Sequence, residues 1–499
     1  MESGFLFPQL QMPAPLLADL ARLNPWWEGS PLPVLPPTRR HLVRIMHRAL
    51  ERRLAPIVVV RGPRQIGKTT AQLQVLQDLL NRGVPASHIL RVQCDELPSL
   101  VELPEPILRI VDWYERAVLG CRLNESARRS EPTYLFFDEV QNVPDLAPQL
   151  KSLVDSSTTQ AVVTGSSALR IEAGRDSLAG RISSIDVGIL SLTEIAAFRG
   201  LDQIDPIITD NGLDSLTDLE FWRGLVDLGG QRAAVVQSAF AHFSERGGYP
   251  LMHQRPEVAW SILAEQLNET VIRRVIQHDL RIGERGRKRD APLLEELFRL
   301  ACRYVGQSPP PATLAREVQR TLGGNVGPQR VRQYLRFLGD TLLLRLIEPL
   351  EIRLKRARGH AKICLVDHGL RASWLQEVVP LEPAKLRQEP HLTALAGRVA
   401  ESVVGAALST IGGLGLAHLP ERPDQPEIDF VLTVGTKRIP VEVKYQQRID
   451  PLRDTEGLRT FLEKTVNNAP LGLLITQVES TVPDPRIVAV PLSTFLLLR

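Results

Sequence analysis

The segment PEIDFVLTVGTKRIPVEVKY, residues 426–445, spaces acidic and basic side chains in a way that suits metal-assisted cleavage of phosphodiesters. Strict alternation on both sides of Gly435-Thr436 predicts two antiparallel strands and a two-residue turn. In that register, facing residues have numbers that sum to 871, so Asp429 faces Glu442, with Lys444 on the same face. Opposed carboxylates repel unless a cation such as Mg²⁺ bridges them. The pattern predicts a metal site on Asp429 and Glu442, with Lys444 orienting the attacking water.

Other interpretations of this hairpin remain open. Lys444 lies opposite Glu427 in the same register, so the charges can pair across the strands without a metal. A turn displaced by one residue would reverse every facing. Glu401 lies on the preceding helix and shares a face with Val404 and Leu408. An inward Glu401 needs a partner such as the predicted metal.

A second motif, GPRQIGKT at residues 62–69, follows an apolar strand and precedes a helix. This is the context in which a GxxxxGK[ST] loop and the helix N-terminus bind phosphates. Lys68 is predicted to reach the β and γ phosphates of ATP, and the Thr69 hydroxyl to hold Mg²⁺. The residues predicted to bind the nucleotide in this loop are Gly62, Pro63, Arg64, Gln65, Ile66, Gly67, Lys68, Thr69 and Thr70.

Two further strands end in polar residues that complete such a site. In TYLFFDEVQNV, Asp138 is predicted to assist the metal and Glu139 to activate the attacking water. In QAVVTGSSALR, Thr164 and Ser166 are suited to sensing the γ phosphate. Helices alternate with strands from residue 55 to 190, which predicts a parallel sheet covered on both faces. The predicted activity is ATP hydrolysis, with ATP and Mg²⁺ as cofactors.

Several motifs resemble those of a family of prokaryotic AAA+ ATPases. The shared stretches are NPWW (24–27), GPRQIGKTT, FFDEVQ, VVTGSSAL, SLAGR, GGYP (247–250) and VDHGLR, and the resemblance covers nearly the whole chain. It implies an AAA+ core, a winged helix and a C-terminal restriction-endonuclease-like domain. The D…ExK spacing is similar to that of PD-(D/E)xK nucleases, with Glu427-Ile428-Asp429 in place of a strict Pro-Asp, and Glu401 resembles their helix glutamate that adds a metal ligand.

The same resemblance assigns two further roles. Arg181 of SLAGR occupies the place of an arginine finger, which reaches the nucleotide of a neighbouring subunit, with Arg175 as the fallback. The alternative is that Arg181 pairs within its own subunit or at the surface. The NPWW stretch packs either near the adenine or, as the favoured alternative, as an anchor in the core.

A basic helical segment precedes the C-terminal domain. Residues 311–350 predict a helix, a Gly-rich turn, a helix and a strand, as in a helix-turn-helix with a wing. Residues 281–362 contain 18 Lys and Arg against 8 Asp and Glu, which indicates a nucleic-acid-binding surface without strong sequence specificity. A protein docking module and a merely solvated basic run are the alternatives. The predicted DNA contacts are Arg330, Arg332, Gln333 and Arg336 on the second helix, and Lys355 and Arg356 in a basic hairpin that also holds Arg353, Arg358 and Lys362.

The predicted architecture is an α/β multidomain protein. Its segments are an N-terminal extension (1–45), an AAA+ P-loop core (46–200), a helical lid (201–280), a winged helix (281–375) and a mixed α/β PD-(D/E)xK nuclease-like domain (376–499). Four dispersed cysteines predict a reducing cytoplasm and argue against structural zinc. The uncharged stretch 402–419 holds four glycines, so a buried helix ending at Gly412-Gly413 is predicted instead of a membrane span.

Together these patterns predict an ATP-hydrolysing, DNA-binding AAA+ protein with a metal-dependent nuclease-like domain. By resemblance to resolvase-like nucleases alone, its substrate is branched or broken DNA. It is expected to form a homo-oligomer such as a hexamer, without a membrane partner. The alternative is a nucleotide-switched signalling or scaffold ATPase whose nuclease-like domain does not cleave.

Overall fold

The structure is a computed structural model with two compact units. It describes residues 12–97, 100, 103–140, 143–165, 178–208, 213–278, 290–351, 359–421 and 426–499. The first unit comprises Met1–Gly62 and Gly67–Val187, and the second comprises Pro63–Ile66 and Gly188–Arg499.

The first unit contains a five-stranded parallel sheet, in the order β2-β3-β4-β1-β5. Most residues of β1 to β4 are buried because their short apolar runs are covered on both faces, as in other parallel sheets. This confirms the predicted α/β core. The strands are β1 (Ile57–Arg61), β2 (Ile89–Gln93), β3 (Tyr134–Asp138), β4 (Gln160–Gly165) and β5 (Ile182–Asp186); the helices are α1 (Ala14–Leu23), α2 (His41–Arg52), α3 (Lys68–Asn81), α4 (Pro106–Tyr114), α5 (Leu123–Arg128) and α6 (Leu146–Ser156).

The NPWW stretch lies against β2, a strand at the edge of this sheet. The Asn24 side chain donates to the Arg91 carbonyl (2.8 Å) and accepts from the Arg91 N–H (2.7 Å). Both Trp26 and Trp27 donate their indole N–H to the Ile89 carbonyl, at 3.2 and 2.9 Å. The stretch therefore anchors the chain to the sheet edge, which was the favoured alternative.

From Gly188 onward the second unit begins with helices, and those after residue 200 fall in the region whose role as a lid stays a prediction. A π-helical segment, Asn268–Arg273, joins two of them into one run. The helices are α7 (Leu192–Phe198), α8 (Leu219–Gln231), α9 (Ala233–Arg246), α10 (Pro250–Gln254), α11 (Trp260–Leu267) and α12 (Arg274–His278).

Three helices and a two-stranded antiparallel sheet follow, in the order that the sequence predicted. Val331, Tyr334, Leu335 and Leu338 on the last of these helices are buried. The elements are α13 (Ala291–Arg303), α14 (Pro311–Leu322), α15 (Pro328–Asp340), β6 (Leu344–Ile347) and β7 (Lys362–Leu365), and helix α16 (His368–Leu375) comes next.

The C-terminal part forms a mixed sheet in the order β12-β11-β10-β9-β8. Lys437 pairs with Val434 and Val441 with Phe430, which confirms the predicted register of the hairpin. Helix α18 ends at Leu408, four residues before Gly412, and the next strand starts at Gly415. The elements are α17 (Pro383–Leu386), α18 (Thr393–Leu408), β8 (Gly415–Leu419), β9 (Ile428–Val434), β10 (Lys437–Lys444), α19 (Glu456–Glu463), β11 (Gly472–Thr476), β12 (Ile487–Pro491) and α20 (Leu492–Phe495).

Two of the family-like motifs, GGYP and VDHGLR, meet inside the second unit. The buried Asp367 carboxylate accepts the Gly248 N–H at 2.9 Å. Gly247 has φ +73°, and a Cβ there would lie 2.5 Å from an Asp367 oxygen, so glycine is required. The Gly248 carbonyl accepts the Leu190 N–H at 2.7 Å, which ties the chain leaving β5 to the same junction.

Among the helices that the structure describes, none combines the length and the apolar character needed to cross a bilayer.

Candidate nucleotide site and C-terminal charge cluster

The predicted phosphate loop lies between β1 and α3. Gln65 and Gly67 have left-handed φ angles of +61° and +88°, and Gly67 is the residue that caps the N-terminus of α3. Lys68 is the first residue of that helix, is only 4% exposed, and donates its Nζ to the Gly62 carbonyl at 3.0 Å. The loop thus joins a buried strand to a helix N-terminus, the arrangement that binds phosphate oxygens.

The polar ends of β3 and β4 meet beside this loop because β4 lies between β3 and β1. The Thr164 hydroxyl donates to the fully buried Asp138 carboxylate and accepts the Glu139 N–H at 3.3 Å. The structure therefore brings together Asp138, Glu139 and Thr164, as the sequence predicted.

Arg91 also belongs to this site, and the sequence reasoning missed it. It lies on β2 and donates Nη2 to Asp138 Oδ2 at 3.2 Å, with both side chains at least 95% buried. Its signal in the sequence is an arginine in the middle of the apolar strand ILRVQ, where a charge needs a buried partner.

The oxygen ligands fit Mg²⁺. Thr69 offers a hydroxyl and Asp138 a carboxylate, which are the hard ligands that this ion takes. Burial, together with Glu139 and Asp138, raises the pKa of Asp95. Negative charge is therefore concentrated at this end of the sheet, where a cation bound with the nucleotide would offset it.

Arg181 pairs within its own chain. Its Nε and Nη2 donate to the two Asp155 oxygens at 2.5 and 3.1 Å, and this hydrogen bonding raises the pKa of Arg181. The side chain is 33% exposed, so it also faces solvent. Its role as an arginine finger stays a prediction. Ser166 and the fallback Arg175 lie outside the described residues.

The residues predicted to form the C-terminal metal site converge, but a lysine lies among them. Lys362 is 1% exposed, and its Nζ donates to Glu401 Oε1 and, at 3.0 Å, to Asp429 Oδ1. Glu427 Oε1 lies 3.6 Å from the same nitrogen. The sequence placed Lys362 with the basic residues of a hairpin counted toward a DNA-binding surface; the structure corrects this for Lys362, whose side chain is buried in a cluster of carboxylates.

Glu442 and Lys444 complete this group, which we term the C-terminal charge cluster (Lys362, Glu401, Glu427, Asp429, Glu442 and Lys444). Lys444 Nζ lies 2.6 Å from Glu442 Oε1, which confirms that the two share a face. The described residues contain no group of three or more His, Cys, Asp or Glu side chains that is arranged to hold a metal ion. The geometry therefore does not fit the magnesium site predicted on Glu401, Asp429 and Glu442, because an ammonium already lies between two of these carboxylates.

Burial and charge shift the pKa values in this cluster in different directions. Burial, with Asp429 as the second cause, raises the pKa of Glu442 to about 8 and that of Glu401 well above its ordinary value. Burial acts to raise the pKa of Asp429 as well, yet Lys362 and the Val443 N–H hold it below its ordinary value. Asp429 is therefore the carboxylate that stays ionised beside the buried ammonium.

The predicted DNA contacts on α15 are solvent-exposed on one face of the helix. Arg330 donates to Asp290 at 3.1 Å and lies over the Tyr334 ring. The side chains of Arg332 and Arg336 are exposed. Lys355 and Arg356 lie outside the described residues. The exposed residues of this helix include the predicted Arg330, Arg332, Gln333 and Arg336, together with Gln329.

Three stretches of the chain match known families. Residues 54–196 match a family described as an AAA domain. This part of the chain is an AAA-type ATPase domain. Residues 237–379 and 396–495 match two families described as domains of unknown function, DUF8612 and DUF4143. The phosphate loop, Asp138 and Glu139 fall inside the AAA match. The winged helix and the nuclease-like domain stay predictions, since neither unknown-function description names them.

Curated relatives and solved structures are weakly similar to longer parts of the chain than these families cover. Uncharacterized proteins of Mycobacterium bovis and Mycobacterium tuberculosis are each 24% identical over 340 residues, which is 66% of this chain and 58% of each relative. The Walker-type ATPase paby2304 of Pyrococcus abyssi is 15% identical, with a TM-score of 0.39, covering 69% of this chain and 99% of that one. Drosophila ORC bound to DNA is 16% identical, with a TM-score of 0.24, covering 75% and 97%. Scores this low do not establish a shared overall fold.

Proposed function

We propose that this chain hydrolyses ATP and that ATP turnover controls its hold on DNA. The observation that carries the ATPase part is the shared carboxyl edge of the parallel sheet: Lys68 and Thr69 follow β1, Asp138 ends β3 and Glu139 follows it, and Thr164 on the strand between these two contacts both acidic residues. Lys68 binds the β and γ phosphates, and Glu139 takes a proton from the attacking water. Thr69 and Asp138 hold Mg²⁺, which offsets phosphate charge when it is bound. Thr164, and Ser166 by sequence, sense the γ phosphate.

DNA binding is proposed for the exposed face of α15. The opposite face of this helix is buried, so Arg330, Arg332, Gln333 and Arg336 are the side chains that it offers to a partner. Three helices followed by the β6–β7 pair also have the order of a winged helix, whose last helix contacts DNA. An arginine-rich face favours contacts with phosphates over base edges, and hence weak sequence specificity.

We infer further that the chain works as a homo-oligomer such as a hexamer, in which Arg181 exchanges Asp155 for the nucleotide of a neighbouring subunit. A mixture of Arg181→Ala and Lys68→Ala chains tests this, because each variant supplies what the other lacks. Recovered ATP hydrolysis in the mixture supports an arginine finger. Absence of recovery assigns Arg181 to its own subunit.

The four free thiols suit the reducing cytoplasm predicted from the sequence.

The experiment that tests the proposed function is phosphate release measured with duplex, single-stranded and four-way DNA. We expect DNA to accelerate turnover, and the acceleration to weaken as salt rises. Lys68→Ala should abolish turnover. The double variant Arg332→Ala/Arg336→Ala should keep basal turnover and lose the acceleration, whereas Arg387→Ala, an exposed arginine on another element, should lose neither. Acceleration that survives the double variant would place the DNA site elsewhere.

A second candidate is a nucleotide-switched signalling or scaffold ATPase. Lys362, buried in the C-terminal charge cluster, favours this candidate, because the candidate's C-terminal domain does not cleave DNA. Under this candidate, DNA leaves ATP turnover unchanged, and Glu442→Ala affects folding alone. DNA stimulation therefore separates the two functions.

A further inference from the structure

The C-terminal charge cluster has the carboxylates of a metal site but supplies its own cation. Its members come from β7, α18, β10 and β9 with the segment just before it, so four separate elements bring their charges to one place. Lys362, the first residue of β7, contributes the ammonium. Phe430 lies on its other side, with 5.2 Å between the ammonium nitrogen and the ring centroid.

Each carboxylate oxygen of Asp429 accepts one hydrogen bond within the protein. Its Oδ1 accepts from Lys362 at 3.0 Å and its Oδ2 accepts the Val443 N–H at 2.9 Å. Glu401 accepts from the same ammonium. A divalent ion between these two carboxylates would therefore lie next to a fixed positive charge that repels it.

Lys362 cannot vacate this position without cost. Only 1% of the residue is exposed, so an ammonium that left Glu401 and Asp429 would remain inside the protein without charged partners. The partner carboxylates would lose their counter-charge at the same time. The contact is therefore a permanent part of the fold and differs from a surface pair that opens readily.

The remaining carboxylates of the cluster are Glu442 and Glu427. Glu442 Oε1 is held by Lys444 at 2.6 Å, which leaves Oε2 as a buried oxygen without a hydrogen-bond partner among the described residues. Glu427 is half exposed, and its Oε1 lies 3.6 Å from Lys362 Nζ. Mg²⁺ or Mn²⁺ would need oxygens of Glu401 and Asp429 beside these, and the Lys362 ammonium lies between Glu401 and Asp429.

We propose that Lys362 is the resident cation of the C-terminal charge cluster, so that this cluster binds no divalent metal and cleaves no phosphodiester. The lysine then stabilises the domain in the way that a structural metal would. The C-terminal domain retains the charged residues of the nuclease pattern without metal-dependent chemistry.

The test measures Mn²⁺ binding to the full chain without nucleotide. The electron paramagnetic resonance signal of free Mn²⁺ gives the number of ions that each chain binds. We expect wild type and Asp429→Asn to bind equal numbers of Mn²⁺ per chain. Lys362→Met keeps the length of the side chain but removes its charge, and it should gain one Mn²⁺ per chain. The double variant Lys362→Met/Asp429→Asn should lose that added ion.

Two outcomes would overturn the proposal. One is a Mn²⁺ ion bound by wild type and lost in Asp429→Asn or in Glu442→Gln. The other is a folded Lys362→Met chain that gains no ion, since the lysine would then not be what excludes the metal. If Lys362→Met fails to fold, Lys362→Gln takes its place, and the wild-type comparison with Glu442→Gln decides by itself.

Discussion

Asp138 and Asp429 are both buried aspartates near the end of a strand, each beside a basic side chain, yet their surroundings differ. Asp138 accepts from the Thr164 hydroxyl and from Arg91, and it lies among further acidic residues near a phosphate-binding loop. Asp429 accepts from a backbone N–H and from Lys362, which also contacts Glu401. The first group retains negative charge for a bound cation, whereas in the second the protein supplies that cation.

The difference shows that carboxylate spacing alone does not define a metal site. A divalent ion needs the space between the carboxylates, and a cation that the protein fixes in that space excludes it. At Asp138 one arginine faces a carboxylate with two acidic neighbours, Asp95 and Glu139. At Asp429 one buried lysine lies between Asp429 and Glu401 and 3.6 Å from Glu427, and Lys444 holds the fourth carboxylate, Glu442.

The largest expected effect is on the rate of ATP hydrolysis at the nucleotide site. Glu139→Gln removes the proposed base while keeping the size of the side chain, so hydrolysis should fall by about 10²- to 10⁴-fold while ATP stays bound. Single-turnover assays with retention of labelled ATP measure both properties. Glu131→Gln, on an exposed residue upstream of β3, is the matched control. Rapid hydrolysis in Glu139→Gln would assign the base to another residue.

Lys362→Met should cause the largest loss of stability. It leaves Glu401 and Asp429 without their shared cation, and breaking a buried pair in this way costs about 3–5 kcal/mol. Urea denaturation measures the loss. Adding Glu401→Gln should restore part of it, because the two changes are coupled through one contact. An unchanged unfolding midpoint would mean that the ammonium is not the counter-charge of this cluster.

Arg91→Met should destabilise the chain less than Lys362→Met. Arg91 also donates to Gln72 and Gln93, but Asp138 keeps the Thr164 hydroxyl as a donor, so the loss should lie near the lower end of the about 3–5 kcal/mol that breaking a buried pair costs. The same denaturation measurement gives the ranking. A larger loss for Arg91→Met would reverse our account of the two aspartates.

Thr164→Val should have the smallest effect on stability. The change keeps the shape of the side chain and removes the hydroxyl that joins Asp138 to the Glu139 N–H, at a cost of about 1 kcal/mol. Thermal unfolding detects this loss. Thr164→Ser keeps the hydroxyl and should return the wild-type value; if both variants unfold alike, the hydroxyl contributes nothing.

The parts of the molecule predicted correctly are those that local patterns determine. Alternation around Gly435-Thr436 fixed the register of β9 and β10, and helical periodicity identified which face of α15 is buried. The phosphate loop followed from a motif whose conformation depends on its own residues, such as Gly67 at φ +88°. In each case the information lies within about ten residues of chain.

The errors and omissions come from contacts between distant residues. Lys362 lies 67 residues before Asp429, and nothing near it in the sequence separates a buried lysine from the basic residues just before it. The end of α18 is an error of another kind, because it depends on local bonds. Glycines commonly end helices, which predicts an end at Gly412-Gly413, but three-residue backbone bonds from Thr410 to Ala407 and from Ile411 to Leu408 end the regular helix at Leu408.

The attachment of the NPWW stretch to β2 has a consequence for assembly. An uncovered edge strand offers unpaired backbone groups that recruit strands from other chains, which leads to aggregation. Asn24 occupies both backbone groups of Arg91, and two indoles crowd the Ile89 carbonyl. A truncated protein that starts at residue 54, where the AAA match begins, would keep the catalytic motifs. It would, however, leave the backbone groups of this edge unpaired and prone to aggregation.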